Sequence, residues 1–131
     1  MLKQNKGFTL IELLVVVVIV GLLATIAIPQ FQNAMEKAKE AEARKILGSI
    51  YQAQLLYNTE NPSKYAKQFS DLMVTAPTAA TTAHYFTYAI GSSGTSWTAT
   101  ASRTTAGGRD NVTAANKYTV TINQNGTISR K

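Results

Sequence analysis

The chain has 131 residues, 45% of them apolar, with a formal net charge of +6 and no cysteine. That length holds one domain, and the missing thiols exclude disulfide stapling, thiol catalysis and Cys-based metal sites. A single histidine, His84, with no Ser-His-Asp spacing and no glycine-rich phosphate loop, argues against an enzyme.

Residues 1–7, Met-Leu-Lys-Gln-Asn-Lys-Gly, form a short basic leader ending in glycine. Lys3 and Lys6 orient the N-terminus toward the cytoplasm by the positive-inside rule. From Phe8 to Ile28 the chain reads FTLIELLVVVVIVGLLATIAI, 21 residues in which Glu12 is the only ionisable side chain. Such a run is long enough to cross a bilayer. A carboxylate near the bilayer centre costs about 2.5–3.5 kcal/mol on insertion scales, so Glu12 needs a partner. Cleavage after Gly7 would create one, the α-amine of Phe8. It lies four residues from Glu12, one helical turn within a chain, and is also within reach of a staggered neighbour.

Two other readings compete for this segment. An ordinary secretory signal has a shorter apolar core, about 7–15 residues, followed by a small-residue cleavage site. Thr25-Ile26-Ala27 is the only candidate, and Pro29 follows almost at once. A plain single-span anchor explains the length but neither Gly7 nor Glu12.

Two breakers interrupt the helix. Gly21 lowers propensity by about 1 kcal/mol relative to alanine, and Pro29 removes a hydrogen bond and crowds the carbonyl of Thr25. The pair predicts a kink near Pro29 and a segment, Gly21 to Pro29, able to lose helicity and stretch. Helical spacing then continues through Phe31, Ala34, Met35, Ala38, Ala43, Ile46, Leu47, Ile50, Tyr51, Leu55 and Tyr57, with Gln54 as a polar exception. Glu36, Lys37, Lys39, Glu40, Glu42, Arg44 and Lys45 read as a solvated face with local ion pairs. Asn58-Thr59-Glu60-Asn61-Pro62 ends the helix near Asn58. The chain thus divides into a leader, 1–7; a transmembrane or filament-core helix, 8–28; an amphipathic helix, 29–58; and a globular β-sheet headgroup, 59–131.

Within the headgroup, residues 65–73 predict one or two helical turns packing Tyr65, Phe69, Leu72 and Met73. Thr75 to Ala83 reads as loop. Strand signals follow at Tyr85–Ile90, Ser96–Arg103 and Tyr118–Asn123, with Trp97, Ala99 and Ala101 alternating against Thr98, Thr100 and Ser102. Gly91-Ser92-Ser93-Gly94 joins the first two strands, and Thr104 to Asn116 is a long surface loop. For the last hairpin, a two-residue Asn125-Gly126 turn would put Ile128 on the polar face. A three-residue loop, Gln124-Asn125-Gly126 with Gly126 left-handed, pairs Ile122 with Ile128 and keeps the apolar face intact.

Residues 61–131 hold seven basic residues against Asp71 and Asp110, a net of +5. The simpler reading is a solvated surface. Repeated along a fibre, such charge would also attract polyanions such as DNA in a salt-dependent way. The candidate contacts are Arg103, Arg109, Lys117, Arg130 and Lys131. Calcium takes about 6–8 oxygens, usually with several carboxylates. Only Asp110 follows Asp71, so no metal and no cofactor is expected.

The segment Gly7-Phe8-Thr9-Leu10-Ile11-Glu12, with its basic leader and unbroken hydrophobic helix, resembles the processing site of type IV prepilins and related type II secretion pseudopilins. The resemblance implies cleavage between Gly7 and Phe8 by a prepilin peptidase, N-methylation of Phe8, an assembly role for Glu12 and melting of the helix between Gly21 and Pro29. It implies an α+β fold: one long N-terminal helix with a small antiparallel sheet of three or four strands on its C-terminal half. The implied work is self-assembly into a type IV pilus filament, with motility, adhesion or DNA uptake as its uses. The implied partners are further copies of the chain, the peptidase and the inner-membrane assembly machinery. The precursor would sit in the inner membrane and the filament on the cell surface. A secretion pseudopilin and a monomeric membrane-anchored binding module are the alternatives. The lack of cysteine departs from the many Gram-negative pilins that close a C-terminal loop with a disulfide.

Overall fold

The computed structural model describes residues 7–79, 84–104 and 117–131. They fall into two compact units, Met1–Lys37 and Ala38–Lys131. The helix α1 (Leu10–Glu60, 51 residues) contributes to both.

In the first unit, α1 carries apolar side chains on every side, and the large ones are uncovered: Leu10, Leu14, Val17, Leu22, Ile26 and Phe31 are exposed. A helix apolar all round requires lipid or other helices as its surroundings. By length and composition it can cross a membrane. The chain remains helical through Gly21 and Pro29. The Thr25 hydroxyl donates to the Gly21 carbonyl at 2.9 Å, one turn back. Met35, one of the apolar positions at helical spacing, is exposed.

In the second unit, α1 presents Ala43, Leu47, Ile50 and Gln54, at steps of four, three and four residues, to a four-stranded sheet. The strands are β1 (Phe86–Ser92), β2 (Trp97–Arg103), β3 (Thr119–Asn123) and β4 (Ile128–Arg130). All neighbours are antiparallel and the order is β1-β2-β3-β4, a simple meander. Each strand alternates. Phe86 and Tyr88, Trp97, Ala99 and Ala101, and Val120 and Ile122 face α1 and are buried. Thr98, Thr100, Ser102, Thr119 and Thr121 face away. Fully burying a Leu or Ile side chain is worth roughly 1.5–3 kcal/mol, so Leu47 and Ile50 dominate what this face of the helix contributes.

The α+β architecture agrees with the sequence reading, and the structure corrects it in detail. The helix ends at Glu60, capped beyond by Asn61, whose N–H and side-chain amide both donate to the Tyr57 carbonyl at 2.8 and 3.2 Å. Leu55 is exposed, because its position falls off the Ala43–Leu47–Ile50–Gln54 stripe. Residues 65–73 contain a single 3-10 turn, Phe69–Leu72. Met73 does not pack there. Its backbone is left-handed, φ 51°, and this turns the side chain out to 99% exposure. Ala66 takes the buried place instead.

The first hairpin turns two residues later than expected. β1 continues through Gly91 and Ser92, Ser92 pairs with Trp97, and the loop is Ser93-Gly94-Thr95-Ser96 with Gly94 at φ 94°. The last hairpin turns as read. Ile122 pairs with Ile128, and the loop Gln124-Asn125-Gly126 has Gly126 at φ 76°. The Asn123 side-chain oxygen accepts from the backbone N–H groups of Asn125 and Thr127 at 3.1 and 3.0 Å, which holds this loop closed. The expected loop 104–116 lies, beyond Thr104, outside the described residues, as do residues 80–83 of the loop before β1.

Candidate functional site

The residues singled out near the N-terminus stand where the chain enters α1. Gly7, Phe8 and Thr9 precede the helix and are exposed, Phe8 to 86%. An exposed, non-helical peptide bond is one a protease can draw into an extended conformation. A Cβ built on Gly7 meets nothing within 4 Å. Among the described residues, packing therefore leaves room for a side chain at this position. The basic leader residues Lys3 and Lys6 lie outside the described residues.

Thr9 and Glu12 form a reciprocal pair. The Thr9 backbone N–H and hydroxyl both donate to Glu12 Oε2 at 2.8 Å, and the Glu12 N–H donates to Thr9 Oγ1 at 3.3 Å. This is a capping box, in which Thr9 opens the helix and Glu12 reaches back to satisfy the donor ahead of it. The carboxylate also sits in the first turn, where the helix dipole favours negative charge. The sequence reading gave Glu12 a partner only after cleavage. The structure gives it one in the uncut chain, and the Thr-x-x-Glu spacing before an apolar run was the signal available. Phe8, Ile11, Val15 and Val16 surround Glu12 with apolar surface.

The five candidate polyanion contacts do not form one patch. Arg103 is fully buried. The alternation that turns Trp97, Ala99 and Ala101 inward turns Arg103 inward too. Its Nη1 donates to the Tyr85 carbonyl at 3.0 Å, and its guanidinium lies 5.3 and 5.6 Å from the Tyr85 and Phe86 ring centres. It is a core residue, and its place in a surface contact is withdrawn. Arg130 is committed to Glu40, at 2.9 Å, and to the face of Tyr118, at 3.9 Å. Arg109 lies outside the described residues, and Lys117 and Lys131 are exposed, as is Arg130 in part.

Glu40 is a second departure. Read as part of a solvated face, it is buried, with Arg44 Nε and Nη2 on one oxygen at 2.9 and 2.7 Å and Arg130 Nη1 on the other. Tyr88 is buried nearby in the core. Desolvation, with the charge of Glu42 as a smaller cause, pushes its phenol from the usual 10 to about 12. His84 is exposed at the start of β1. Among the described residues no group of three or more His, Cys, Asp or Glu side chains could hold a metal ion.

The chain is similar to known proteins. Residues 2–28 match the prokaryotic N-terminal methylation motif. The chain is 47% identical over 57 residues to the type IV major pilin protein PilA of Myxococcus xanthus, covering 44% of this chain and 26% of that protein. It is 46% identical over 50 residues to the type IV major fimbrial protein FimA of Dichelobacter nodosus, covering 38% and 32%. It is 35% identical over 80 residues to the type II secretion system core protein G of Aeromonas hydrophila, covering 60% and 55%. The chain thus spans between about a quarter and just over half the length of these relatives. Together the motif and the relatives support a type IV pilin or pseudopilin family for the chain.

Proposed function

We propose that this chain is a structural subunit of a type IV pilus filament. It is made as a membrane-anchored precursor, cut between Gly7 and Phe8, N-methylated on Phe8 and assembled through its apolar helix. The observation that carries the reading is a single juxtaposition. An exposed Gly7–Phe8 bond leads directly into a helix that is apolar and uncovered on every side. Such a surface is covered by lipid before assembly and by neighbouring helices after it. The partners are then further copies of the chain, a prepilin peptidase and the inner-membrane assembly machinery. The protein's role is structural rather than enzymatic.

In the filament, Glu12 neutralises the new amine of Phe8, most simply on an adjacent subunit. An unpaired carboxylate in a helix bundle carries a penalty that this pairing removes. The stretch from Gly21 to Pro29 supplies the extensible part of the helix. The helical structure of this stretch in the subunit is compatible with that role, because Pro29 leaves the Thr25 carbonyl without its backbone donor.

A secretion pseudopilin is the second reading. Its support is the match to core protein G, which covers more of both chains than either pilin match. Sheared surface fibres examined by electron microscopy and N-terminal mass analysis separate the readings. Abundant fibres whose subunit begins at methylated Phe8 are expected. A subunit beginning at Met1 or Ile28, or protein that remains monomeric in the membrane, overturns filament assembly. Loss of protein secretion without loss of fibres on deleting the chain favours the pseudopilin.

A further inference from the structure

β4 differs from the rest of the sheet in what holds it. It is three residues long, lies at the sheet edge, and its neighbours Ser129, Arg130 and Lys131 are exposed. Its one apolar anchor, Ile128, is only partly buried. Two paired bonds between Thr119 and Lys131, each 2.9 Å, and one from the Asn123 N–H to the Thr127 carbonyl, 3.2 Å, close the ladder to β3. Between them Thr121 pairs with Ser129 in the ladder, and the charged side-chain tie is Arg130. Its guanidinium lies over Tyr118, 3.9 Å from the ring centre, and donates to Glu40 Oε2 at 2.9 Å, ninety positions earlier in the chain.

Glu40 suits this task. It is the first buried residue of α1 in the second unit, and its two oxygens are divided. Arg44, one turn on, holds Oε1 and orients the carboxylate, and Oε2 is left for the strand. Hydrogen bonds between an arginine and a carboxylate are roughly twice as strong as neutral ones. The chain has no cysteine to staple this region.

We propose that β4 is a strap that opens independently of β1–β3, and that the Glu40–Arg130 pair is its latch. β1, β2 and β3 keep their own core when the strap leaves, since Phe86, Tyr88, Trp97, Ala99, Ala101, Val120 and Ile122 pack on Ala43, Leu47 and Ile50 of α1. Opening uncovers the edge of β3, a row of unpaired N–H and C=O groups able to pair with a strand of another molecule. The latch therefore keeps the five-residue edge of β3 covered and leaves only the three-residue edge of β4 open to pairing. Edge segments of this kind open at free energies well below that of global unfolding.

The alternation of β3 supplies the test. Thr119, Thr121 and Asn123 direct their amides toward β4, and Val120 and Ile122 direct theirs toward β2. Residue-resolved amide exchange is measured on the full chain in detergent micelles. In the wild type, Thr119, Thr121 and Asn123 should exchange at least tenfold faster than Val120 and Ile122. Glu40→Gln and Arg130→Met should each accelerate the first three about tenfold further and leave Val120 and Ile122, together with Thr100 and Ser102 of β2, unchanged. Uniform protection along β3 in the wild type overturns the strap, and this arm holds even if a variant fails to fold. Acceleration of all β3 amides together, or of none, in folded variants overturns the latch.

Discussion

Gln54 and Ala66 clasp each other in both directions: Gln54 Nε2 donates to the Ala66 carbonyl and the Ala66 N–H donates to Gln54 Oε1, each at 2.9 Å, with both residues fully buried. A side-chain amide carries one donor end and one acceptor end, and here it replaces the two backbone bonds that a strand would have made. The clasp returns the chain after α1 to the helix and sets where Tyr65, Trp97 and Tyr51 meet, with ring centres 6.3 and 6.0 Å apart.

Gln54→Leu fills the same space and leaves both Ala66 groups buried without partners. The expected loss is about 1–3 kcal/mol for each orphaned group, read as a lower urea midpoint of the chain in micelles. An unchanged midpoint would show that water or a shifted backbone satisfies Ala66 instead.

Gly7→Val should leave the fold untouched, since among the described residues a Cβ at this position meets nothing within 4 Å. Membranes should then accumulate full-length precursor, seen as an intact leader by mass analysis. A normal Phe8 terminus in this variant would remove Gly7 from the processing site.

Thr9 and Glu12 can be separated. Thr9→Val removes the cap and should fray the first turn, at about 0.5–2 kcal/mol, while the carboxylate remains. Glu12→Ala removes both the box and the charge. It should be made, cleaved and stable yet poorly incorporated into fibres. Equal fibre yield from Glu12→Ala as sole subunit would argue against its assembly role, and equal loss in both variants would trace the defect to helix capping alone.

The headgroup should lose stability in alkali through Tyr88. Its folded phenol ionises near 12 against the usual 10, so the unfolded chain ionises first. The contribution is complete below about pH 10 and is lost as pH rises toward 12. Thermal melts of Tyr88→Phe should show a shallower decline across that window than the wild type. Parallel declines would mean that Tyr88 titrates freely.

Much of this protein is written locally. The lone Glu12 in an apolar run and the Thr-x-x-Glu spacing need nothing beyond a few neighbouring residues, because a charge among apolar neighbours and a helix cap are both short-range features. The strand alternation and the three-residue final turn are equally local. Gly126 supplies the left-handed φ, and the pairing of Ile122 with Ile128 follows from keeping one face apolar. What local pattern could not decide is which polar groups go inside. Glu40, Arg103 and Gln54 look like surface or exceptional residues in sequence, and each is buried because a partner arrives from far along the chain: Arg130, the Tyr85 carbonyl and Ala66. Met73 is the converse, an apolar residue turned out by a left-handed backbone. Burial of a polar group is favourable only when its partner is in place, and that placement is made by the meander of the sheet over α1, which is a property of the tertiary structure alone.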